Sequence, residues 1–138
     1  MTPYRRLPHT ADLRLEITGS GFPQLVENAG KALTALLTDR RKVRKTLSRA
    51  IIIEGENPEE LLVNWLNELI YWFEVQKILF ADFNFEKLVK GQMKVTAHGE
   101  EFSPQKHILK DKPKAATYHL LNVEKNADRY IARVVLDS

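Results

Sequence analysis

Asn57-Pro58-Glu59-Glu60-Leu61-Leu62-Val63-Asn64-Trp65-Leu66-Asn67-Glu68-Leu69-Ile70-Tyr71-Trp72-Phe73 carries both the start signal and the apolar face of one helix. Asn57 is a good N-cap, Pro58 occupies the first helical position, and Glu60 stands where a capping-box carboxylate reaches back toward the cap amide. Leu61, Leu62, Trp65, Leu66, Leu69, Ile70 and Phe73 recur at helical spacing and form one broad apolar face, which belongs at the centre of a core.

Working outward toward the N-terminus, Ala50-Ile51-Ile52-Ile53 reads as a β-branched strand ending before Gly55. A basic stretch precedes it, and a second helix precedes that. In this helix Pro23 lies near the first turn and Leu25, Val26, Ala29, Leu33, Leu36 and Leu37 form the stripe. Gly19-Ser20-Gly21 separates it from Asp12-Leu13-Arg14-Leu15-Glu16-Ile17-Thr18, whose strict alternation puts Leu13, Leu15 and Ile17 on one face of a half-buried strand.

Toward the C-terminus the chain reads as strands over residues 80–89, 92–102, 115–124 and 129–137, with a loop over 103–113. Lys125-Asn126-Ala127-Asp128 is a polar connection suited to an antiparallel hairpin. Helices in the first half and strands in the second predict an α+β fold of two layers, a largely antiparallel sheet with two helices packed on one face. The 138 residues suit one domain spanning 1–138, without internal repeats or linkers.

The chain has no cysteine, which removes disulfides, thiolate metal sites and cysteine nucleophiles together and fits a reducing compartment. The opening Met1-Thr2-Pro3-Tyr4-Arg5-Arg6 leads into a charged, interrupted stretch and not a secretory h-region, and no apolar run approaches a membrane span. A cytoplasmic protein that does not enter membranes is expected. A net charge of +3 is compatible with contact to nucleic acid and too small to identify a binder. Arg40, Arg41, Lys42, Arg44, Lys45 and Arg49 lack interleaved aromatic residues to stack bases, so a solvated edge is the favoured reading of that stretch.

Three places carry possible chemistry. In Pro8-His9-Thr10-Ala11-Asp12, a histidine and an aspartate flank a strand start, although an isolated pair of this kind is more often solvated or turn-capping. In Val134-Val135-Leu136-Asp137-Ser138, alternation puts Asp137 on the face of Ile131 and Arg133. If the fold brings the carboxylates of Asp12 and Asp137 together with oxygens of Ser138, they repel unless a hard cation such as Ca²⁺ sits among them; otherwise these charges are simply hydrated. In Lys114-Ala115-Ala116-Thr117-Tyr118-His119, alternation sends Tyr118 and His119 to opposite faces of a strand, and Lys114 at the loop edge is either a phosphate or carboxylate contact or a solvated lysine. His98-Gly99-Glu100-Glu101 reads as a turn between strand segments, with extension of a metal or partner site as the alternative.

Three segments in order, His9-Thr10-Ala11-Asp12, Glu60 to Leu69 of the central helix, and Lys114-Ala115-Ala116-Thr117-Tyr118-His119 followed by Leu136-Asp137, resemble the archease family across nearly the whole chain. The resemblance implies a small α+β accessory protein, not an enzyme. Archeases assist RtcB-type RNA ligases in tRNA splicing and RNA repair by promoting GTP-dependent guanylylation of the ligase and its multiple turnover, with RNA met indirectly. By the same resemblance Asp12 and Asp137 correspond to metal ligands, with Ser138 adding main-chain or terminal oxygens. The cofactor expected is a divalent ion, Ca²⁺ in the first place and Mg²⁺ or Mn²⁺ in function. Lys114 matches a family lysine, and His9, Lys114 and His119 are the candidates for partner or nucleotide contact. Two departures stand out: Ser138 replaces an aliphatic end residue, and Lys112-Pro113 replaces an acidic-aliphatic pair. The competing readings are an RNA-binding module or chaperone for RNA-processing proteins and, with less support, a free-standing metal-dependent hydrolase using His9 and Asp12. The latter lacks a phosphate loop, a nucleophile elbow and an HExxH helix.

Overall fold

The alternating segment that follows Asp12 is the second of eight strands in this computed structural model, which describes residues 2–8 and 12–138. In chain order the elements are β1 (Tyr4–Arg6), β2 (Leu13–Gly19), α1 (Phe22–Leu37), β3 (Leu47–Glu54), α2 (Pro58–Glu74), β4 (Ile78–Val89), β5 (Gln92–Glu101), β6 (Ala115–Ala116), β7 (Asn122–Asn126) and β8 (Arg129–Asp137), with one 3₁₀ turn at Arg40–Lys42.

The α+β, antiparallel character expected from the sequence is present, and the strands divide between two sheets. One runs β1-β2-β8-β6, with β7 also on β8; the other runs β3-β5-β4. All pairings are antiparallel. Each helix packs on strands of both sheets, α1 on β2 and β4, and α2 on β6 and β3. The reason lies in the width of the apolar faces. The α2 residues Leu61, Leu62, Val63, Trp65, Leu66, Leu69, Ile70 and Phe73 are all buried, an arc too broad for one flat layer.

The Asn57 cap read from sequence forms, while the Glu60 carboxylate reaches the Glu56 amide in place of the cap amide. The Glu60 amide donates to Asn57 Oδ1 at 2.8 Å, and the Glu60 carboxylate accepts from the Glu56 amide at 3.0 Å, one residue before the cap. At the centre, the fully buried Trp65 donates its indole N–H to the Val26 carbonyl of α1 at 3.0 Å and meets Phe83 of β4 edge to face, with ring centroids 5.5 Å apart. The neighbouring α1 turn carries Gly30, where an added Cβ would lie 2.6 Å from Phe83 Cε2, so only glycine permits this approach of helix to strand.

The structure corrects the sequence reading in four places. β1 was not expected; three residues are too few to show a period. The strand expected over 115–124 is two short strands, β6 and β7, both on the same edge of β8, separated by a turn in which Leu120 has φ 54°. Tyr118 and His119 therefore belong to that exposed turn, closed by the Leu121 amide on the Tyr118 carbonyl at 3.1 Å, and not to the two faces of a strand. The hairpin to β8 pairs Asn126 with Arg129, leaving Ala127-Asp128 as a two-residue loop with Ala127 at φ 59°. Finally, His98-Gly99-Glu100-Glu101 is no turn but the end of β5, where Gly99 faces a bulge of β4 between Phe80 and Asp82. No helix among the described residues is long and apolar enough to cross a membrane.

Candidate functional site

The end of the larger sheet is built by a continuous register. β2 and β8 pair from Gly19 with Tyr130 to Leu13 with Leu136, and the inward residues Leu13 and Leu136 are 3% and 0% exposed. Asp12 directly precedes Leu13, and Asp137 directly follows Leu136. Asp12 lies in a bend just before β2 and Asp137 is the last residue of β8, so the two flank the last pair of this ladder. Asp12 is half-buried, whereas Asp137 and Ser138 are exposed.

On the other side of β8, Ala115 pairs with Asp137 and Ala116 with Leu136. The Lys114 amide donates to the Asp137 carbonyl at 2.7 Å, and Thr117 donates both its amide and its hydroxyl to the Val135 carbonyl, at 3.0 and 2.9 Å. A strand of two residues has little stability of its own. Its second edge is held by α2: Asn67 Oδ1 accepts from the Ala116 amide at 2.7 Å while its Nδ2 donates to the Ala116 carbonyl at 3.2 Å. One side chain thus imitates a neighbouring strand, and through β6 it fixes the main chain at Asp137.

Of the residues expected at the site, Asp12, Asp137 and Ser138 lie at the end of this ladder, where the Lys114 amide reaches the Asp137 carbonyl. Alternation from Ala115, which pairs with Asp137, puts the Lys114 side chain on the face opposite Asp137. His119 lies in the exposed turn beyond Thr117, off the ladder, and His9 lies outside the described residues. Among the described residues no three His, Asp or Glu side chains group as a metal site. An ion held here therefore draws on two side-chain carboxylates and on main-chain oxygens. That donor set is all oxygen and doubly anionic, which suits a hard divalent cation and does not suit a soft one. The residues present fit the ion implied by the resemblance.

The loop leading into Lys114 is fastened by a cluster that sequence reasoning missed. The Glu100 carboxylate, 12% exposed, accepts from Lys106 Nζ at 2.8 Å, from the Arg44 amide at 2.8 Å and from His107 Nε2 at 2.9 Å. His107, buried against the Phe102 ring, accepts the Ser103 amide on Nδ1 at 2.9 Å, which leaves the proton on Nε2 for Glu100. Burial alone raises the carboxyl pKa, but the hydrogen bonds from Lys106, Arg44 and His107 outweigh it and hold Glu100 at about 2, from an ordinary 4.5. Farther along, the Lys110 and Asp111 amides cap the Leu37 and Leu36 carbonyls at the end of α1. The only sequence signal for this arrangement was an acidic residue beside a glycine.

The basic stretch is largely engaged within the fold. Arg40 donates to the Ala81 carbonyl, Arg41 pairs with Asp39, and Lys45 lies 3.8 Å from Asp82. This agrees with a solvated, structurally occupied edge.

The match to a family model, described as the Archease protein family, covers residues 4–137. Proteins named archease in Methanosarcina acetivorans and Pyrococcus abyssi are each 36% identical, over 97% of this chain and 94% of the former, and over 99% of both chains for the latter. The solution structure of a Methanobacterium thermoautotrophicum protein superposes with a TM-score of 0.82 at 26% identity, covering 100% of both chains. A crystal structure from Thermotoga maritima, described as an archease and possible chaperone, shares the fold with a TM-score of 0.68 at 24% identity, over 97% of this chain and 96% of that one.

Proposed function

From its membership of the archease family, to which this chain belongs, we propose that the protein is an accessory factor of an RtcB-type RNA ligase and promotes the ligase's guanylylation and multiple turnover. Asp12 and Asp137, with oxygens of Ser138, hold a divalent ion in this reading, Ca²⁺ or, in function, Mg²⁺ or Mn²⁺. The observation that supports it is the β2–β8 register, whose last pair, Leu13 with Leu136, joins the residues next to Asp12 and Asp137. The relative described as a possible chaperone supports the broader reading, a protein that acts on another protein.

A divalent ion at this end supplies positive charge to oxygen anions of a phosphate or a partner carboxylate. The chain's own contribution is to bring two carboxylates to one end of the sheet, and to hold the Asp137 main chain between β2 and β6. Nucleotidyl transfer depends on positioning and charge stabilisation, so a rigidly presented ion is a useful thing for an accessory protein to bring. Guanylylation of the ligase with GTP, followed with and without this protein and divalent metal, tests the reading. Stimulation by the wild-type protein that is lost in Asp12→Ala and Asp137→Ala supports it. Equal stimulation by both variants, with folding unchanged, rejects the carboxylate site; phosphoester hydrolysis by the protein alone rejects the accessory role.

A further inference from the structure

Beside Asn67, whose side chain also bonds Ala116 of β6, a trough of about 550 Å³ runs between α2 and β3, lined by Ile52, Glu54, Asn64, Asn67, Glu68 and Tyr71. β3 is an edge strand of its sheet, so its second edge has no strand partner among the described residues. Two side chains cap that edge. Arg49 Nη1 donates to the Ser48 carbonyl at 2.9 Å, and Asn64 Nδ2 donates to the Glu54 carbonyl at 2.8 Å. Both carbonyls belong to even-numbered residues, so the ladder's alternation turns the N–H and C=O groups of Ala50 and Ile52, between the caps, to the same open edge. Both residues are exposed, Ile52 to 49%, and Tyr71 across the trough is 44% exposed.

We propose that this edge and trough bind an extended segment of a partner protein, added as a strand to β3, with lysine or arginine at the alternate positions that face α2. An unpaired edge with backbone groups free at two successive alternate residues is the geometry of strand addition. The charge of the partner follows from the trough. Glu68 of α2 forms no ion pair with a lysine or arginine among the described residues, while Glu54, on the outer face with Ile52, accepts from Gln92 Nε2 at 3.2 Å, in a chain whose net charge is +3. Past Glu54 the surface carries Glu56 and Glu60, with Lys90 beside them. On the outer face Ile52 is opposite Lys94, which disfavours a cation there, so alternating basic and neutral side chains fit better than a uniformly basic run. Asn67 also holds β6, so a segment seated here lies next to the element that positions Asp137. The site is independent of the ligase reading; it rests on β3 and α2 alone.

The test uses the full chain and a seven-residue peptide alternating threonine with lysine, against a control with glutamate in place of lysine. Binding is followed by amide NMR shifts, and hydrogen exchange is read at Ala50 and Ile52. The lysine peptide is expected to shift those amides, slow their exchange, and lose affinity at least fivefold in 500 mM salt. Ile52→Pro removes an edge N–H that β5 does not use, a position where strands accept proline. Glu68→Lys leaves the backbone untouched and covers the case in which the proline variant does not fold. Each is expected to weaken binding at least tenfold. Equal binding of the glutamate peptide, unchanged exchange at Ala50 and Ile52, or wild-type affinity in Glu68→Lys overturns the proposal. So does sedimentation as a dimer that Ile52→Pro dissolves, which makes the occupant a second copy of this chain.

Discussion

Replacing Asn67 with alanine removes both bonds to Ala116 without touching a charge. Each bond contributes about 1 kcal/mol net, and leaving a shielded N–H or C=O without a partner costs about 1–3 kcal/mol. Ala116 is 5% exposed, but Asn67 lines an open trough, so water reaches the vacated position and the lower end applies to each group. The expected loss is about 2 kcal/mol, small enough for a domain of ordinary stability to remain folded. Because β6 has only two residues, local release is the cheaper response. Hydrogen exchange at the Ala116 amide and at the Lys114 amide, which donates to Asp137, is therefore expected to accelerate at least tenfold more than at Val95 and Ala97 of the central strand β5. Asn67→Asp retains the 2.7 Å acceptor bond to the Ala116 amide but sets an oxygen against the Ala116 carbonyl, so Ala116 keeps more protection than in the alanine variant. Urea unfolding gives the global value and native-state exchange the local one. Unchanged protection at Ala116 and Lys114 in Asn67→Ala refutes the reasoning that α2 holds β6 and the Asp137 main chain in place.

Glu100 makes stability pH-dependent. Its folded pKa lies below the unfolded value, so its contribution is complete above pH 4.5 and is lost as pH falls from 4.5 toward 2. The shift corresponds to roughly 3 kcal/mol, and in acid unfolding Glu100→Gln is expected to lose stability at neutral pH and to flatten the curve over that range. Gly30→Ala forces a methyl against Phe83, so chemical denaturation should show a loss of about 1–3 kcal/mol. Asn57→Ala removes the α2 cap, with an expected cost of about 1 kcal/mol in the same measurement.

What could be read from sequence follows the length of each element and the source of its order. β2, α2 and β8 show a clear period or a boundary signal over several residues, and they form where expected. β1 and β6 are defined by their neighbours and not by their own residues, so no local pattern reveals them. Leu120 adopts positive φ without being glycine, which hid the turn that splits 115–124, whereas the polar connection at 125–128 was legible and its loop is only narrower than read. The aspartates were visible as candidates, but the β2–β8 pairing that joins their neighbours Leu13 and Leu136 is not determined by sequence spacing. Asn67 looked like a polar interruption of an apolar face; its role appears only when β6 is placed beside it. Glu100 was obscured for the same reason, since its partners Arg44, Lys106 and His107 come from the far ends of two loops.

Titration of the ¹⁵N-labelled protein with Mn²⁺ tests the carboxylate site most directly, because paramagnetic broadening reports distance from the ion. The account predicts that the amides of Leu13, Ala115 and Asp137 broaden first and that Asp12→Asn or Asp137→Asn removes the effect while the remaining spectrum stays folded. Broadening that begins instead at Glu54, Glu56 and Glu60, or that survives both substitutions, contradicts it.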